Sequence, residues 1–157
     1  AMNFTAAPKP FPRRAFTLIE IMIVVALIGL IAAMGVPSIL QTFRKEGMRK
    51  ALTDVQDVLG DARAQAVLKG QTTEVVFHPT EKKIEGAGKT VELPADMDIA
   101  MLDINLMDFG GADVARVRFF PNGTCDEMVL VLHSGDDWKK ISLEFSTALA
   151  SVQPFKR

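Results

Sequence analysis

The chain has 157 residues, a formal net charge of -1, one cysteine, one tryptophan and no tyrosine. A near-neutral balance excludes the whole-molecule field that steers nucleic acid or a strongly acidic partner, and the lone Cys125 excludes an intrachain disulfide. With a membrane-length apolar segment near the front, the part after about residue 70 leaves room for one small globular domain.

Residues 1–15 read as a leader. Pro8, Pro10 and Pro12 exclude a helix there, and Lys9, Arg13 and Arg14 form a basic patch ahead of an apolar run. Basic residues beside a hydrophobic segment tend to stay cytoplasmic. Arg44, Lys45, Arg49 and Lys50 flank the other end, however, so charge alone leaves the orientation open. From Phe16 to Leu40 the run is about as long as the ~20 residues a bilayer-spanning helix needs. Its one carboxylate, Glu20, would cost at least ~2.5 kcal/mol unpaired in hydrocarbon. A plain anchor gains nothing from such a residue; a subunit that pairs inside the membrane does.

An ordinary secretory signal would have a shorter apolar core and a small-residue cleavage site, whereas Ala32-Ala33 is followed here by Met34-Gly35 and more helix. Arg13-Arg14-Ala15-Phe16 has a twin-arginine look, but that signal is discarded, and here the helical periodicity continues past it. The third reading rests on likeness. A small residue, then Phe16-Thr17-Leu18-Ile19-Glu20, then an apolar helix, resembles the leader junction of type IV pilins and type II secretion pseudopilins. The resemblance implies a prepilin peptidase cut between Ala15 and Phe16 and methylation of the new N-terminus. It makes Glu20 the fifth mature residue and places Pro37 where the family commonly has a helix-kinking proline. The residue before the cut is normally Gly; Ala15, the smallest substitute, is expected to permit processing.

Glu20 also has a physical reason of its own. Cleavage would leave a charged amine at Phe16, and a residue four further along lies one turn away on the same face. A carboxylate in the membrane seeks a cation, and a neighbouring subunit's amine is available; in the family this pairing is thought to set the axial register. The alternative is a Glu that snorkels to the headgroups.

Pro37 removes a backbone donor, so a kink or a locally melted stretch is expected near Gly35 to Pro37. Beyond it the helix is amphipathic. Met48, Leu52, Val55, Leu59, Ala62 and Ala66 form one face, and Arg49, Lys50, Asp54, Asp57, Asp61 and Lys69 the other. Gly70 is a candidate C-cap. Arg63, beside the Ala62/Ala66 stripe, can cover a sheet edge, pair with an acid of the same chain, or stay solvated.

After Gly70 the period becomes strand-like. Strands are expected over Thr72–His78, Lys82–Glu85 and Lys89–Leu93, with a further strand somewhere in Asp96–Met107. Val114–Phe120 follows, then a Pro121-Asn122-Gly123 turn. Met128–His133 and Lys140–Phe145 pair across Ser134–Asp137, and a short strand around Leu149–Val152 closes the chain. The expected fold is α+β, a long N-terminal helix packed by its second half on an antiparallel β domain. Its divisions are a leader at 1–15, a transmembrane helix at 16–40, its amphipathic continuation at 41–70 and a β domain at 71–157.

Arg118-Phe119-Phe120-Pro121-Asn122-Gly123, followed by an apolar hairpin, resembles the signature of the H-type minor pseudopilins (the GspH/FimT type), as does Ala62-Arg63 through Ala66 followed by a strand. That group's usual small-Thr-Gly-Arg ending is replaced here by Ser146-Thr147-Ala148-Leu149-Ala150.

Little points to catalysis. His78, His133 and Cys125 lack metal-ligand spacing and an orienting third group, and Gly86-Ala87-Gly88 lacks the rest of a phosphate loop. Asp126-Glu127 and Asp136-Asp137 do not match a calcium loop, so no metal and no cofactor is expected. Lys139-Lys140 and Lys156-Arg157 would give only weak, salt-sensitive contact with nucleic acid, which is disfavoured as a partner. The resemblance implies a non-enzymatic minor pseudopilin of a type II secretion pseudopilus. It would be single-pass in inner-membrane lipid, with its β domain in the periplasm, and would partner other pseudopilins and the prepilin peptidase. A minor pilin of a type IV pilus or DNA-uptake machine is the second expectation, and an anchored enzyme or sensor the third.

Overall fold

The computed structural model describes residues 16–156, apart from the side chains of 34–41. One helix, α1 (Leu18–Lys69), is followed by nine strands: β1 (Thr73–His78), β2 (Lys83–Gly86), β3 (Lys89–Glu92), β4 (Asp98–Ile104), β5 (Met107–Asp108), β6 (Ala115–Phe119), β7 (Met128–Ser134), β8 (Asp137–Leu143) and β9 (Ala150–Pro154). The chain divides into a unit at 1–40 and a unit at 41–157. Within the described residues of the first, the apolar side chains from Phe16 to Ile31 are exposed.

α1 runs through 34–41 without a break; Pro37, whose side chain lies outside the described residues, was expected to kink or loosen it. In the second unit the helix buries Met48, Leu52, Val55, Leu59, Ala62 and Ala66, the face anticipated from spacing. Ala51 and Val58 are buried as well, so the stripe is wider than one heptad seam because it covers parts of two sheets. Gly70 ends the helix with φ +64°, the left-handed C-cap its position predicts.

The strands form two antiparallel sheets, ordered β3-β2-β1-β6 and β5-β4-β7-β8-β9. Both contribute to one core with α1, through Val75, Phe77, Ile84 and Phe119 from the first and Leu102, Leu130, Ile141 and Leu143 from the second. Alternation explains the burial. Ala115, Val117 and Phe119 of β6 point inward while Arg116 and Arg118 stay out. β2 meets the helix so closely that a Cβ on Gly86 would stand 2.7 Å from Val75 Cγ2 and 3.0 Å from Val58 Cγ1. Side chains of the helix tie it to both sheets: the Gln65 amide donates to the Ala87 carbonyl at 3.1 Å and the Gln56 amide to the Ala150 carbonyl at 3.3 Å.

Most strands lie within a residue or two of their expected bounds, and two places differ more. Asp96–Met107 divides into β4 and a two-residue β5, because Asn105 and Leu106 turn the chain back with φ 50° and 67°. The β7–β8 hairpin closes two residues tighter than expected, pairing Ser134 with Asp137 around Gly135 at φ +58°. The five-stranded sheet has blunt rims: β5 is a two-residue stub and β9 ends in Pro154.

Candidate assembly site

Two places combine sequence signal with unusual surroundings. The first is the start of α1. Thr17 precedes the first helical residue, and the Glu20 backbone N–H donates to Thr17 Oγ1 at 3.3 Å and to the Thr17 carbonyl at 3.1 Å. Thr17-Leu18-Ile19-Glu20 therefore follows the capping-box pattern, with Thr at the N-cap and Glu three residues on. A carboxylate in the first turn also suits the positive end of the helix dipole. Sequence reasoning assigned Glu20 to pairing or snorkelling and missed the cap supplied by Thr17, although the Thr-x-x-Glu spacing carries it.

Around that carboxylate nearly everything is apolar and unpacked. Phe16 is 75% exposed and Leu18 82%, and Ile19, Ile21, Met22 and Ile23 are also exposed, so apolar side chains cover all sides of the helix. A helix hydrophobic all round belongs inside a core or a membrane. Among the described residues no helix is long and apolar enough to cross a membrane, and the described side chains of this run stop at Ala33. Ala15, the other half of the expected cleavage junction, lies outside the described residues.

The second place surrounds the Arg118–Gly123 signature. Arg118 of β6 and Asp126, just before β7, bridge the two sheets: Arg118 Nε donates to Oδ2 at 2.9 Å, and Nη2 donates to Oδ1 at 3.1 Å. The Arg118 backbone N–H adds a bond to Oδ2 at 3.0 Å, and Asn105 Nδ2 donates to Oδ1 at 3.0 Å. Burial alone would push the Asp126 carboxyl up; the Arg118 and Asn105 hydrogen bonds outweigh it and hold it below the ordinary value. The Arg118 guanidinium also lies 5.7 Å from the Phe120 ring centre. Asn105 completes the frame, since its Oδ1 accepts from the Glu127 N–H at 3.1 Å and its own N–H donates to the Glu127 carbonyl at 2.9 Å. The signature thus fixes the β4–β5 turn from across the sheet interface. Nothing in the spacing Arg118…Asp126 announces that in the sequence, where Asp126 reads only as half of an acidic dipeptide that matches no calcium loop.

Other candidates are occupied structurally. Cys125 is fully buried, its thiol donating to the Glu144 carbonyl at 3.4 Å, and burial pushes it up to about 11. Such a thiol is a poor nucleophile. His133 stacks on Trp138 with ring centres 4.5 Å apart, and Asp137 is paired with Lys139 at 3.2 Å. Among the described residues no three His, Cys, Asp or Glu side chains are grouped as a metal site. Arg157 lies outside the described residues.

Comparison with known proteins gives a family match that includes the first place. Residues 11–36 match the family described as the prokaryotic N-terminal methylation motif. Two Pseudomonas aeruginosa proteins, each named fimbrial protein, are 30% identical to this chain over 114 residues. The match covers 73% of this chain and 65% of theirs, so it spans just under two thirds of those relatives. No solved structure matches.

Proposed function

Proceeding from a chain that is type IV pilin-like, with an N-terminal methylation motif and a helix packed on antiparallel sheets, we propose that it is a minor pseudopilin, a structural subunit of a type II secretion pseudopilus. It is made as a prepilin, cut by the prepilin peptidase between Ala15 and Phe16, and methylated at Phe16. Residues 16–40 anchor it in the inner membrane, and the β domain lies in the periplasm. Anchored helices then pack on other subunits through small residues such as Gly29, Ala32 and Ala33. Glu20 meets the amine of a neighbour, and the neighbour's charge offsets the cost of a carboxylate in lipid. The observation that carries this is the motif itself: one acid, four residues after the expected new N-terminus, at the head of an otherwise apolar run.

The likeness to fimbrial proteins favours a second reading, a minor pilin of a type IV pilus or DNA-uptake machine. The likeness of Arg118–Gly123 to the H-type minor pseudopilin signature supports the first. Mass spectrometry of the chain purified from membranes tests the part common to both: an N-terminal methyl-Phe16 is expected, and an N-terminus within 1–15 would overturn it. Deletion of the gene separates the two. Exported enzymes stranded in the periplasm with surface fibres intact support secretion; lost fibres with normal export support the pilus.

A further inference from the structure

Resting on the filament-subunit reading, we infer that the β domains of two copies dock head to tail, with the β4–β5 turn of one copy seated in an Arg63-lined groove of the next. The turn has the features of a knob. Leu106 sits at its tip, 92% exposed and in the left-handed region where Gly or Asn is preferred. Met107 beside it is also exposed. Asp103 and Asp108 stand directly opposite each other across β4 and β5, an unfavourable like-charge pairing. Asp108 Oδ1 accepts the Gly110 N–H at 2.8 Å, so one oxygen of that carboxylate already serves the fold, but a single chain gains nothing from the exposed apolar tip and left-handed backbone at Leu106. Strain held at a well-anchored turn points to function, and Asn105, on the Arg118–Asp126 frame, supplies the anchor.

The complementary surface is on the same domain. A groove of about 540 Å³ runs between the end of α1 and the β8–β9 connection, lined by Gln56, Arg63, Val67, Leu68, Ala148 and Leu149. Leu68 is 84% exposed and Leu149 59%. Arg63 is partly buried, its Nε is shut off from solvent and has no hydrogen-bond partner among the described residues, and none of the ion pairs formed among them includes its guanidinium. The groove therefore offers apolar surface and a cation without an ion pair among the described residues; the knob offers apolar side chains and two carboxylates that no cation there neutralises.

Register decides how the two are related. Met107 pairs with Ile104, Ile104 with Met128, Met128 with Leu143 and Leu143 with Ala150. Knob and groove thus stand at the two ends of one row across the five-stranded sheet, four strand spacings or roughly 19 Å apart. Unlike surfaces on opposite rims make a heterologous contact, which does not close after two copies and leaves a free knob and a free groove at the ends.

The test uses full-length chains with two different tags, co-expressed in native membranes. One carries Leu106→Cys and the other Leu68→Cys; the native Cys125 is buried and does not compete. Mild oxidation is expected to join the two tags, to leave either variant alone unjoined, and to give a ladder when one chain carries both substitutions. No cross-link, self-pairing of either single variant, or capture of only a different protein would overturn the proposal. Arg63→Glu on the groove copy should lower the yield at least tenfold, and Asp108→Arg on the knob copy should recover it. Leu106→Gly controls for misfolding: it relieves the turn, so the chain should be no less stable while co-purification of the two tags falls at least tenfold. Unchanged co-purification would overturn the docking. If Glu20-dependent incorporation into filaments persists while these contacts fail, only the docking is lost and the filament-subunit reading stands.

Discussion

Arg118 and Asp126 share a forked pair of hydrogen bonds, 2.9 and 3.1 Å long, across the seam between the two sheets. The carboxylate is buried, whereas the guanidinium reaches solvent. Removing the acid leaves the Arg118 backbone N–H and the Asn105 amide without their acceptor. Asp126→Ala is expected to cost about 2 kcal/mol, the usual penalty for stranding buried donors. Urea titration of the detergent-solubilised chain measures it, and an unchanged midpoint would count against the seam role.

The same pair sets an acid limit. The folded-state value of Asp126 lies below the ordinary 3.8, so its contribution is present above that ordinary value and is lost as pH falls through the lower, folded one. Wild type should therefore lose stability below about pH 4 more steeply than Asp126→Asn. Parallel acid-unfolding curves for the two proteins would contradict the assignment.

Gly86 and Gly60 should respond in opposite senses to alanine. A Cβ at Gly86 would press into Val75 and Val58, while one at Gly60 meets nothing within 4 Å. Overpacking costs about 1–3 kcal/mol, and replacing a mid-helix glycine gains up to ~1 kcal/mol. Thermal melts of Gly86→Ala and Gly60→Ala, read against wild type, check both signs.

Cys125 should be silent toward thiol reagents in the folded chain. Its burial and its raised value, about 11, keep it protonated at neutral pH. Maleimide at pH 7.5 is expected to label it only after urea is added, as read by intact mass. Rapid labelling without denaturant would mean that the β6–β7 connection opens readily.

Glu20→Gln isolates the charge of one side chain. The Thr17 cap is made through the Glu20 backbone N–H, so the helix start should persist. Gln carries no charge to meet an amine, so incorporation into filaments should fall at least tenfold. Incorporation equal to wild type would overturn the pairing of this carboxylate with a neighbour's amine.

Strong periodicity made α1 legible: six buried positions between Met48 and Ala66 follow spacings of three and four, and Gly70 marks the stop. β6 was equally plain, because its arginines alternate with apolar residues. The β4–β5 turn was hidden because Asn105-Leu106 lacks the glycine that usually announces a two-residue turn, so tertiary hydrogen bonds from Asp126 and Glu127 hold what local propensity disfavours. Arg63 illustrates a different gap. Its place on the helix was readable, but its lack of an acid depends on what β8 and β9 bring alongside, which no single-chain pattern encodes.

The blunt rims of the five-stranded sheet, a two-residue stub on one side and a proline-ended strand on the other, carry a consequence for how such a polymer lives. A stub and a terminal proline shorten the backbone ladder that this sheet offers to another strand, which disfavours fusion into a continuous sheet of the kind that makes amyloid permanent. On the filament reading, contact between subunits then falls mainly to side chains, and a subunit held that way can be withdrawn intact.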